Sequence, residues 1–136
     1  MSSKITSRNT ISLHERLKSR KVLDELFSGG SFFVQSPFRM IYLFQEFDQN
    51  HPVKFAVSAP KRRMKNAHDR NRMKRLMREA FRKNKHPLIA WCRNNHKGLA
   101  LLFISQCNTP VEYTVTEEKI ILLLNRLLQE NEKAAQ

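Results

Sequence analysis

The 136-residue chain carries 25 Lys and Arg against 12 Asp and Glu, a formal charge of +13. A polyanionic partner is therefore expected, with nucleic acid ahead of an anionic membrane surface. Hydrophobic residues make up 40%, enough for one core but not two. No apolar run approaches the ~20 residues that cross a bilayer, and the opening residues lack a secretory signal. These features predict a cytoplasmic protein with no membrane partner. Cys92 and Cys107 fit neither a zinc knuckle nor a redox pair and are expected as free thiols.

Residues 1–15 are polar and aperiodic and read as a flexible basic tail. A short helix is predicted over 16–28, where Val22, Leu23, Leu26 and Phe27 fall at helical spacing and Gly29-Gly30 stops the run. SFFVQ (31–35) fits a short strand, and Pro37 punctuates it. FRMIYLFQEF (38–47) is a strong strand. Phe38, Met40, Tyr42 and Phe44 point to one face, and Arg39, Ile41, Leu43 and Gln45 to the other. After a turn at 48–52, VKFAVSA (53–59) reads as a second long strand, antiparallel to the first across a hairpin.

Pro60 ends that strand, and a basic loop leads into the main helix. This helix runs from Asn66 or Asp69 to Lys83 on the stripe Met73, Leu76, Met77, Ala80 and Phe81. Residues 84–98 read as a connection with one helical turn around 88–92, anchored by Trp91. LALLFISQ (99–106) is apolar throughout and predicts a central strand covered on both faces. Thr114 and Glu117 form a candidate capping box. The helix it opens carries Ile120, Ile121, Leu123, Leu124, Leu127 and Leu128, then frays over 131–136. The order predicts one α+β domain over 16–130.

Residues 61–85 hold 12 Lys and Arg against Asp69 and Glu79 alone. With Met77 as the core direction, Arg72, Arg75 and Arg82 lie on the far side of the helix with His68. Asn71 and Arg78 flank that stripe, and Lys74 borders the core. Arg70 lies nearer the core side and can snorkel past the helix end. Lys61, Arg62, Arg63 and Lys65 continue the patch at the helix N-terminus, where free N–H groups favour phosphate. An ordinary solvated face mixes charge signs to gain i, i+4 pairs; this one does not. The prevalence of Arg within the helix suits forked contact to phosphate and stacking on bases.

RNRMKRLMREAFR (70–82) resembles the signature, often called the RNR motif, of the bacterial ribonuclease P protein family. LFSGGSFF (26–33), the strand containing Tyr42, SAPKRRMKNAHDRNR (58–72) and the closing IILLLNRLL extend the resemblance over about 16–130. It implies a four-stranded mixed sheet with three helices and a left-handed crossover, as in the ribosomal protein S5 domain 2-like fold. It also implies a protein subunit that binds the catalytic RNA and the 5′ leader of precursor tRNA, assisting removal of the leader. Hydrolysis then belongs to the RNA subunit, whose Mg2+ ions are held mainly by RNA; none is bound by the protein alone, and no obligate protein partner is implied. Carried over by position, Arg70, Asn71, Arg72, Lys74, Arg75 and Arg78 are motif residues. Phe27 and Tyr42 line a leader cleft between the first helix and the sheet, with Ser58 and Lys61 near its floor. Leu23 departs from the family at a place where an aromatic is frequent, and Lys65 where glycine is.

Scattered acids argue against catalysis by the protein itself. His86, Cys92 and His96 are too irregularly spaced for zinc. A ribosomal or RNA-chaperone protein would share the charge and size but not the motif. A helix-turn-helix regulator is disfavoured because strand and basic loop, not a second helix, precede the motif.

Overall fold

The computed structural model describes residues 15–135. The expected tail lies outside them except for Glu15. Helix α1 (Arg20–Gly29) begins where the Ser19 hydroxyl accepts from the Val22 N–H. It starts four residues later than the spacing predicts. Arg16 and Leu17 are drawn into strand-like pairing with Phe55 instead, the Leu17 N–H donating to the Phe55 carbonyl at 2.8 Å. Strands β1 (Ser31–Gln35) and β2 (Phe38–Gln45) form an antiparallel hairpin across Ser36-Pro37. Then come β3 (Val53–Ser58), α2 (Ala67–Asn84), α3 (His86–Asn94), β4 (Gly98–Ser105) and α4 (Tyr113–Ala135).

The sheet order is β1-β2-β4-β3, with β4 antiparallel to β2 and parallel to β3. The expected hairpin between β2 and β3 is therefore not formed, because β4 lies between them. The reason is compositional. Every residue of β4 is buried, and an apolar strand with two apolar faces is most stable at the sheet centre. On one face, α1 sets Leu26 against Ile41, Ala100, Leu102 and Ile104. On the other, Met73, Met77 and Phe81 of α2 and Ile120, Leu123 and Leu127 of α4 cover Phe38, Met40, Phe55, Leu101 and Phe103. The Phe81 ring lies 4.2 Å from that of Phe55 and 5.8 Å from that of Phe103.

Four helices are described rather than three. The added one, α3, has Pro87 in its first turn, where proline's missing N–H costs nothing. Leu88 and Cys92 form its buried stripe. At the α2–α3 junction the Lys85 ammonium is buried and meets the Glu15 carboxylate at 2.8 Å, tying the start of the described chain to the helices. The capping box is not made. Thr114 falls inside the first turn of α4, and the Glu117 carboxylate accepts from the Tyr113 hydroxyl and the Asn84 amide. The helix continues to Ala135, beyond the expected fraying point.

Candidate nucleic-acid interface

The basic loop is fixed from within. Met64, its one large apolar residue, is buried in the main core. The N–H groups of Arg63 and Met64 both donate to the Pro60 carbonyl. Arg70 then donates from one guanidinium nitrogen to the carbonyls of Met64 (3.0 Å) and Lys65 (2.7 Å). Arg70 thus holds the loop in shape, a role that its position near the core side of the helix permits. The arrangement turns Lys61, Arg62, Arg63 and Lys65 outward, and all four are exposed. Asn66 caps α2 by accepting from the His68 N–H at 2.8 Å.

Along α2, Asn71, Arg72, Arg75 and Arg78 are exposed and Lys74 is half-buried, as the helical wheel predicts from Met77. Among the described residues, none of Arg72, Lys74, Arg75 and Arg78 forms an ion pair with a carboxylate. Glu79 is taken by Arg82 and lies 3.9 Å from Lys83, so the uncompensated stripe ends at Arg78. Partial burial, and then the nearby Arg16 guanidinium, lower the Arg78 pKa from its usual range. Cations gathered this closely repel one another until an anion joins them.

The sheet face under α1 supplies a second surface. Cross-strand neighbours share a face, which places Phe32, Ile41, Leu102 and Ala56 in one row. The next row is Val34, Arg39, Ile104 and Ser58. Ser58 ends β3 three residues before Lys61, so this face opens toward the basic loop. Phe27 is 64% exposed, Phe32 54% and Val34 44%, a concentration of bare apolar surface that needs a reason.

Tyr42 does not belong to this face. It packs with the α2–α4 core, stacked on Phe33 at 5.6 Å and edge-on to Phe44. Phe27, on α1, is on the opposite side of the sheet, so the two cannot flank one groove. Alternation is the cause: Ile41, one residue earlier, is the side chain that meets α1. Ser58 does lie on the α1 face, with Lys61 just beyond it. Sequence reasoning missed Phe32, Val34, Arg39 and Arg16 as members of the two surfaces. The strand alternation already assigned Arg39 to the face of Ile41, and that signal could have found it.

Among the described residues no three His, Cys, Asp or Glu side chains are gathered to hold a metal. Cys92 is buried, which pushes its thiol up to about 12, and His96 stands edge-on to the Phe47 ring. No described helix is long and apolar enough to cross a membrane.

The fold and its surfaces define a small cationic α+β protein, with a single-signed helix and loop beside an open sheet face. A family model described as Ribonuclease P matches residues 11–128, and the chain belongs to the ribonuclease P protein family. It is 41% identical over 81 residues to a ribonuclease P protein component of Porphyromonas gingivalis, a match covering 57% of each chain. The matched part thus spans little more than half the length of that relative. A Chlorobium phaeobacteroides ribonuclease P protein component is 28% identical over 131 residues, 88% of each chain. The same fold is found in the RNase P protein of Thermotoga maritima (TM-score 0.65, 24% identity, 82% of this chain and 96% of that one). It recurs in the RNase P protein of Staphylococcus aureus (TM-score 0.63, 16% identity, 83% and 94%).

Proposed function

We propose that the chain is the protein subunit of a ribonuclease P ribonucleoprotein and helps remove the 5′ leader of precursor tRNA. In this reading α2 and its loop bind the catalytic RNA through Lys61, Arg62, Arg63, Lys65, Asn71, Arg72, Lys74, Arg75 and Arg78. Arg70 keeps the loop in its binding shape. The single-stranded leader lies along the α1 face, against Phe27 and Phe32 and toward Ser58. The RNA subunit and the Mg2+ ions it holds carry out hydrolysis, and this chain's residues bind and orient. The compartment that goes with this role is the cytoplasm.

One observation carries the reading: a stripe of cations without carboxylate partners adjoins a sheet face with exposed phenylalanines. Phosphate-rich structured RNA suits the first. A single strand suits the second, because bases stack on aromatic side chains at about 1–3 kcal/mol each. Phe32→Ala should therefore weaken binding of precursor tRNA by about 5- to 150-fold and leave mature tRNA, which lacks the leader, nearly unchanged. Tyr42→Ala should instead lower thermal stability and affect both RNAs alike. Equal losses for the two RNAs with Phe32→Ala in a folded protein would remove the leader from this face.

A further inference from the structure

On the sheet face opposite α1, four aromatic side chains form an unbroken string. Phe33 of β1 stacks on Tyr42 of β2 with ring centroids 5.6 Å apart. Tyr42 meets Phe44 edge-on at 6.0 Å, and Phe44 meets Trp91 of α3 at 6.3 Å. A cation stands toward each end. The Arg126 guanidinium of α4 lies over the Phe33 ring, 4.5 Å from its centroid, and the Lys97 ammonium lies over the Phe44 ring at 5.3 Å. Both cations are exposed, and among the described residues neither pairs with a carboxylate. Acids stand close by: Glu130 is one helical turn beyond Arg126, and Glu46 follows the β2 residue that pairs with Gly98, next to Lys97. An ordinary solvated surface would use them in ion pairs. Packing does not account for the rings either. Phe44 is 36% exposed, and Phe33 and Trp91 are only half-buried, so much of this aromatic area covers no core.

We infer that this string is a second site for unpaired RNA, across the sheet from α1 and independent of where the leader lies. An unpaired strand offers a flat base and a negative phosphate at every nucleotide. Aromatic side chains stack on the first and cations hold the second, which is the combination that binds single strands. A ring face attracts a cation without neutralising it. Arg126 and Lys97 are thus held in place with their charge still available to phosphate. The Arg126 guanidinium also offers a base its outer face, since it stacks on π systems. An acidic peptide would satisfy the two cations, but it has no planar group at each residue to occupy consecutive rings. A platform of this kind takes on the order of two or three nucleotides. Stacking reads no base edge, so the site tolerates any sequence.

Trp91 is the chain's one tryptophan, so its fluorescence reports on this site alone. The test titrates the full chain with short unstructured RNA oligonucleotides of mixed sequence, with an acidic peptide and a hairpin RNA alongside. The oligonucleotides should quench Trp91 emission, and the peptide and the hairpin should not. Phe44→Leu keeps an apolar side chain but removes the ring, and should weaken the quenching transition by about fivefold or more. Arg126→Gln and Lys97→Gln should each lower the magnitude of its salt slope by about 0.7. Both residues are exposed, so these two variants keep the test decisive whatever Phe44→Leu does to folding. Phe32→Ala, on the other side of the sheet, should leave the transition unchanged. Oligonucleotide binding seen by anisotropy without any change in Trp91 emission would place the RNA on the α2 stripe or the α1 face and overturn the assignment. Quenching that survives both Gln variants with an unchanged salt slope would also overturn it, as would quenching by the peptide in place of the RNA. None of these results bears on the leader, which the comparison of precursor and mature tRNA tests separately.

Discussion

At the scale of single residues, α2 divides cleanly into two kinds of side chain. Arg75 and Arg78 are exposed, while Met77 between them is completely buried. Arg75→Ala and Arg78→Ala should weaken RNA binding and leave the melting curve in place. Met77→Ala should cost about 2–5 kcal/mol of stability, as core truncations do. Leu76, a member of the same stripe, is only half-buried and should cost less. Denaturant unfolding alongside RNA binding checks all four; early unfolding of both arginine variants with normal RNA binding would mean the faces are reversed. This division was legible in the sequence because helical period and charge agree. The site on the sheet was less so. The alternation Phe38, Met40, Tyr42 against Arg39, Ile41 described the faces correctly, yet the family resemblance assigned Tyr42 to the cleft. In a strand, an error of one position moves a side chain across the whole sheet. The role of Arg70 as a clasp on the Met64 and Lys65 carbonyls depends on how the loop folds back, which no local pattern encodes.

Among whole elements, those with strong internal periodicity were read correctly, and those defined by distant partners were not. β4 announced its central place through an unbroken apolar run. Its insertion between β2 and β3 could not be read from the turn at 48–52, because pairing across the sheet is decided by burial of β4 on both sides. α3 was hidden by Pro87 and by the polar residues around it, although proline in a first turn is compatible with a helix. Where β4 enters the sheet, backbone space sets the sequence. Gly98 pairs with Gln45, and a Cβ there would strike the Glu46 carbonyl and lie 2.8 Å from that of Gln45. Gly98→Ala should therefore force β2 and β4 apart at that end and destabilise the protein by about 1–3 kcal/mol or more. A melting temperature unchanged by this substitution would show that the strand ends can spread without loss.

At the scale of the molecule, the two surfaces call for different physics, and salt separates them. Seven cations of the loop and the outer stripe, Lys61, Arg62, Arg63, Lys65, Arg72, Arg75 and Arg78, are exposed, on a chain of net charge +13. Each phosphate they neutralise releases condensed counterions, with a slope of about 0.7–0.9 in log affinity against log salt per contact. If about six to ten phosphates are engaged, affinity for structured RNA should fall by roughly 10³–10⁵ between about 50 and 200 mM salt. Arg75→Ala should lower the magnitude of that slope by about one. Phe32→Ala should leave the slope intact and shift the whole line for precursor tRNA, because stacking releases few ions. Measuring both variants over the same salt series therefore tests the electrostatic and the stacking surfaces independently. A flat salt dependence in the wild type would sink the first, and a slope altered by Phe32→Ala would show that the two surfaces are not separable.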